Sequence, residues 1–134
     1  MARVDLDLIR EAYEVHNAAP ADFPDVLARD FLNADAEFVE AAAVPGATTH
    51  RGARAVAALF RDRFNAGVMR VDDLELTALD EHRVLAAFRI HMRGTSGGAQ
   101  AAMRVWNLIT VEGSRIARVE EFTDELAALG AARR

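Results

Sequence analysis

The chain has no cysteine, three prolines, one tryptophan and one tyrosine among its 134 residues. Without cysteine there is no disulfide frame, no thiolate metal ligand and no thiol nucleophile, so the core alone must hold the fold. A reducing, cytoplasmic setting is the expectation. Basic charge is also short. The net charge is −5, and no basic stripe is interleaved with exposed aromatics, which argues against a nucleic-acid partner. No apolar run approaches the roughly 20 residues of a membrane span. The N-terminal MARVDLDLIREAYEV is amphipathic and acidic rather than a charged cap on an apolar run, so neither a signal peptide nor a membrane partner is expected. The histidines His16, His50, His82 and His91 have no ligand-like spacing with one another or with carboxylates, so no bound metal is expected. Gly94 to Gly98 lacks the lysine and following helix of a phosphate loop, no serine sits in a nucleophile elbow, and no cofactor is expected.

What is present suffices for one soluble domain spanning residues 1–134. The sequence is 51% hydrophobic and 28% charged, the ordinary globular range, and shows no repeat or linker. Asp5 to Ala19 reads as a helix with Leu6, Ile9, Tyr13 and His16 on one stripe, stopped by Pro20. A short helix follows Asp22, with Pro24 in its first turn. Asn33-Ala34-Asp35 reads as a turn, Ala36 to Ala42 as a strand, and Ala43 to Arg51 as a loop. A third helix runs from about Gly52 to Asn65 on Val56, Leu59, Phe60 and Phe64, with Arg61, Asp62 and Arg63 as its solvated face. Strand patterns follow. Leu74, Leu76 and Ala78 alternate with polar residues, and Val84, Ala86, Phe88, Ile90 and Met92 share one face.

Ala101 to Thr123 reads as a hairpin turning at Glu112-Gly113-Ser114. Its first strand is apolar on both sides: Met103, Val105, Ile109 and Val111 on one, Trp106 and Leu108 on the other. Such a strand expects two covers. The chain's own helices supply one, and the expectation is that a second subunit supplies the other, against the Val105 side. Helices first and strands after predict α+β: a cone-shaped, curved antiparallel (mixed) sheet with N-terminal helices on its concave face.

Three segments carry a family resemblance. HRGARAVAALFRDRF (His50 to Phe64) resembles the third helix, AEFVE (Ala36 to Glu40) the first strand, and GSRIARVEEFTDELAALG (Gly113 to Gly130) the last strand and tail of SnoaL-like proteins. These belong to the nuclear-transport-factor-2-like superfamily. The resemblance implies a deep pocket for a small hydrophobic molecule and a homodimer through the convex face of the sheet. It does not fix a reaction, because the fold hosts isomerases, dehydratases, cyclases and non-catalytic modules.

Measured against ketosteroid isomerase, Tyr13 falls at the helix-one tyrosine, but the base position holds Ala41 and the oxyanion-hole aspartate falls near Trp106, so that mechanism is rejected. Measured against SnoaL-type cyclases, Asp124 falls at the base position, and it is equally placed to N-cap the tail helix. Glu37 and Glu121 stand behind it as candidate bases. Tyr13, His16, Phe38, Phe60, Phe88, Arg104 and Trp106 are the expected substrate-binding set. Two functions follow: cofactor-independent acid–base chemistry on a small hydrophobic carbonyl compound (a cyclase, isomerase or dehydratase), or a non-catalytic ligand-binding or dimerisation module. The enzyme leaves one pocket carboxylate unpaired with a raised pKa. The binding module has every pocket carboxylate paired.

Overall fold

The helices form where capping and periodicity place them. In the computed structural model, which describes residues 4–94 and 100–134, α1 spans Leu6–Ala18. Asp5 caps it, its carboxylate accepting from the N–H groups of Asp7 at 3.0 Å and Leu8 at 3.3 Å. Two donors that a helix start leaves open are thereby satisfied. Ile9, Ala12 and His16 are its buried face. α2 (Phe23–Val26) has Pro24 in its first turn and runs into a π-helical turn, Leu27–Phe31, which buries both Leu27 and Phe31. α3 covers Ala53–Asn65.

The strands are β1 (Leu32–Val39), β2 (Thr49–Arg51), β3 (Val68–Ala78), β4 (Arg83–Arg93), β5 (Gln100–Glu112) and β6 (Arg115–Phe122), followed by α4 (Glu125–Ala132). They form one open sheet in the order β2-β1-β6-β5-β4-β3. Only β1 and β6 pair in parallel. The expected α+β class with a mixed sheet is borne out. Two local readings need correction. Asn33-Ala34-Asp35 is strand, not turn, and the irregularity the sequence signals there is a register shift between Leu32 and Glu37 against β6. The stretch read as loop contains β2, which pairs with β1. The Gly-rich turn expected at 94–98 falls, after Gly94, outside the described residues.

The two faces of the sheet have separate covers. On the concave face, Val84, Ala86 and Phe88 of β4 lie opposite Ile109, Asn107 and Val105 of β5. The apolar members of this set join the main core with Ile9, Phe23, Phe38 and Val56. On the convex face, Leu85 and Leu108 pack against Ala128 and Ala131 of α4, with Trp106 and Phe122 alongside. The orientation assumed for β5 is therefore inverted: Val105 faces the core with α1 to α3, and Trp106 faces the α4 side. Strand alternation groups residues by side but does not say which side is in. The closing helix covers Leu108.

Gly67 makes the turn from α3 into β3. Its φ is 120°, a Cβ there would collide with the backbone carbonyl of Arg93, and its own carbonyl accepts the Arg93 N–H at 2.8 Å. Among the described residues no helix is long and apolar enough to cross a membrane. Because Val105 is a core residue, Val105→Glu buries an unpaired charge. It is expected to lower stability by on the order of 3 kcal/mol or more in chemical denaturation; an unchanged midpoint would contradict the inward placement.

Candidate functional site

Beneath α1 and α3 the concave face leaves a cavity of about 70 Å³. Its wall is mostly apolar, from Ile9, Leu27, Phe38, Val56, Phe60, Phe88 and Ile109 among others. That volume is far below the roughly 300 Å³ at which clefts for drug-sized ligands begin, so the space as it stands suits a compact molecule. Its polar groups are Tyr13, His16, Arg63, Asn107 and Glu121.

Each of these is positioned by simple periodicity. Tyr13 and His16 stand one turn apart on α1. Asn107 lies between Val105 and Ile109 on β5, and Glu121 lies across from it on β6. Arg63 follows Phe60 by three residues on α3 and so falls on that helix's inward stripe. Its guanidinium lies 5.1 Å from the Phe38 ring centroid. It donates to both Glu121 oxygens, Nη1 to Oε2 at 2.7 Å and Nη2 to Oε1 at 3.0 Å. Oε1 also accepts the Ala41 N–H at 3.2 Å. Arg63 Nη2 reaches Glu40 Oε1 at 3.4 Å. Glu40 Oε2 accepts the Thr48 N–H at 3.1 Å and lies 3.1 Å from His50 Nε2. Burial alone would push the Glu40 carboxyl up, but His50, the Thr48 N–H and Arg63 together hold it below the usual range.

Tyr13 and Asn107 form the second polar feature. The Asn107 amide donates to the Tyr13 hydroxyl at 2.9 Å, and the Tyr13 ring packs against Phe88 at 5.1 Å. Burial pushes the Tyr13 pKa well above its ordinary value; the Asn107 hydrogen bond opposes the rise, and the Glu121 charge adds to it. The phenol therefore stays neutral. Asn107 is 7% exposed, and its Oδ1 is buried without a hydrogen-bond partner.

Among the residues expected at the site, Tyr13, His16, Phe38, Phe60, Phe88 and Glu121 line the cavity. The rest do not. Glu37 is on the opposite face of β1 from the buried Ala36 and Phe38 and pairs with Arg51 at 3.3 Å. Asp124 caps α4, accepting the Leu126 N–H at 3.3 Å. Arg104 and Trp106 lie on the convex face, with the guanidinium 5.7 Å from the indole. Their misplacement follows from the inverted parity of β5. Asn107, one residue along, is the side chain that meets Tyr13. Sequence reasoning passed over Asn107 and Arg63, yet both carried a signal: one polar residue on an otherwise apolar stripe. Among the described residues, no group of three or more His, Asp or Glu side chains is arranged to hold a metal ion.

With Glu121 bound by Arg63 at two oxygens, removing the arginine strands a buried charge. Arg63→Leu is expected to cost about 3–5 kcal/mol in denaturant unfolding, and the double variant Arg63→Leu/Glu121→Leu to recover most of it. Equal losses in both would show that the pair is not coupled.

No protein-family model matches this chain, and no curated protein matches it by sequence. Solved structures do. A candidate polyketide cyclase from Xanthomonas campestris pv. campestris superposes with a TM-score of 0.74 at 20% identity, over 95% of both chains. A candidate SnoaL-like polyketide cyclase from Jannaschia sp. CCS1 gives 0.73 at 16% identity, over 95% of this chain and 90% of that one. TerC, crystallised with polyporic acid, gives 0.73 at 16% identity, over 96% and 98%. At these identities the likeness is one of fold. It is the fold of SnoaL-like and nuclear-transport-factor-2-like proteins, the superfamily that the three sequence segments resemble.

Proposed function

We propose that the chain binds a small, neutral, largely apolar carbonyl compound in the concave cavity, and that it acts as a binding module rather than as a cyclase driven by a carboxylate base. The observation that carries this reading is the Tyr13–Asn107 pair. Tyr13 accepts from the Asn107 amide and keeps its own O–H to give; Asn107 Oδ1 keeps its lone pairs. A buried polar atom without a partner costs about 1–3 kcal/mol, so its retention fits a ligand that completes it. A carbonyl accepting from Tyr13 and an adjacent O–H or N–H donating to Asn107 is the complement. Against the carboxylate-base alternative stands Glu121, the carboxylate lining this cavity, whose two oxygens are already occupied by Arg63 and the Ala41 N–H. Three of its four lone-pair sites are filled, two of them by a cation, which is the pairing the binding reading expects of a pocket carboxylate.

The reading is tested with cyclohexanone by NMR titration. Binding is expected to shift the Tyr13 and Asn107 signals, and Tyr13→Phe to weaken it by about threefold to tenfold, the worth of one neutral hydrogen bond. Asn107→Leu is expected to weaken binding of 2-piperidone, whose adjacent C=O and N–H match the pair, about threefold to tenfold. A titration that leaves the cavity resonances unmoved would refute the reading.

A homodimer through the convex face is part of the same proposal. Its contact would centre on Leu126, which is 78% exposed, on the helix whose buried side packs with Trp106 and Phe122. Leu126→Glu is expected to turn a sedimenting dimer into a monomer; a parent chain that is already monomeric at high concentration would count against it.

A further inference from the structure

We infer that His16 is a hydrogen-bond acceptor of fixed tautomer inside the cavity, with Asn17 as the residue that fixes it, and that the molecule bound there presents a hydroxyl to His16 Nε2. This deepens the binding reading above and rests on it. The argument starts at Asn17, whose amide pairs with the backbone of Val71 on β3 as another strand residue would. Its Nδ2 donates to the Val71 carbonyl at 2.8 Å, and its Oδ1 accepts the Val71 N–H at 2.8 Å. Turning the amide over would set donor against donor and acceptor against acceptor, so the place of Oδ1 is determined by the backbone rather than chosen. His16 Nδ1 lies 3.3 Å from that oxygen. A carbonyl oxygen can only accept, so the ring proton is on Nδ1, and in a neutral imidazole Nε2 then carries a bare lone pair.

The ring is held neutral by its surroundings. It is 4% exposed, and the rings of Phe23, Phe60 and Phe64 lie 5.1, 6.4 and 4.8 Å away. Burial lowers its pKa, and the Asn17 hydrogen bond opposes that only in part. The hydrogen bond the ring makes is that of Nδ1 with Asn17, and the side chain lines the cavity. The cavity's strongest donor, Arg63, is already taken by Glu121. A bound molecule that displaces water from the cavity then has to bring the donor itself. A ketone or carboxylate can only accept and leaves Nε2 dry, whereas a hydroxyl satisfies it.

The test uses the full-length, ¹⁵N-labelled chain with phenol and toluene, which have nearly the same shape and differ in the hydroxyl. Without ligand, the His16 ring nitrogens are expected to show a pyrrole-type Nδ1 and a pyridine-type Nε2. In Asn17→Ala the two tautomers should mix. Phenol should shift Nε2, toluene should not, and the phenol-to-toluene affinity ratio should fall about threefold to tenfold in His16→Phe. Retained toluene binding in that variant shows that the cavity is intact. A protonated Nε2 in the parent chain, or an unchanged affinity ratio in His16→Phe, overturns the inference and leaves the binding reading standing. If neither probe enters the cavity, the binding reading fails and takes the inference with it.

Discussion

Glu121 is a carboxylate with 8% exposure on the inner face of a sheet, and Arg63 reaches it from the helix layer with a hydrogen bond to each oxygen. The ion pair ties α3 to β6. Through Glu40 and the Ala41 N–H it also secures the chain where it leaves β1, the strand paired in parallel with β6. Cationic and anionic groups taken out of water repay their desolvation only when geometry is good and the remaining oxygens are hydrogen-bonded, and here both oxygens are. One arginine thus lines the cavity, lies over the Phe38 ring and pairs with the carboxylate beside it.

The architecture was legible because its signals are redundant. Asp5 before an amphipathic stripe, Pro20 after it, the apolar spacing of α3 and the Gly113 turn each state an element, and the segment resemblance arranges them. The site was only half legible. Strand alternation sorted Val105 with Ile109 and Trp106 with Leu108, but the choice of inner face needed the packing of α4, whose alanines bury Leu85 and Leu108 from outside. With two apolar faces on β5, hydrophobicity could not choose between them. The error then carried Arg104 and Trp106 out of the pocket and Asn107 into it. Glu37 failed for a related reason: the buried face of β1 is that of Ala36 and Phe38, not that of Glu37 and Val39, so Glu37 pairs with Arg51 on the other side. Asp124 was ambiguous from the start, since a residue that caps a helix and one that ends a catalytic strand are the same residue type at the same place.

Arg63 shows how a buried ion pair hides in a sequence. Arg61-Asp62-Arg63 looks like a solvated run, and Arg61 does reach out to Asp25 at 2.9 Å. Two residues on, rotation of the helix by about 200° turns the same side chain type inward. Composition could not separate the two arginines, whereas the spacing of three from Phe60 could.

The polar groups left open in the cavity are the functional statement of the molecule. A protein selected for stability alone would keep at 107 a donor for Tyr13 without the amide oxygen, which is buried with no partner and is a cost in the empty protein. It would also let His16 find a second partner. Instead the backbone of Val71 is used to orient Asn17, Asn17 to orient His16, and Asn107 to orient Tyr13, each leaving one atom unused on the cavity side. Two acceptors and one phenolic donor, held by a rigid strand and a capped helix, make a neutral and directional site. An ionised ligand would find Arg63 already neutralised and no other cation among the lining residues. Discrimination in such a site comes from unmade hydrogen bonds, which penalise the wrong molecule more than the right contacts reward the correct one.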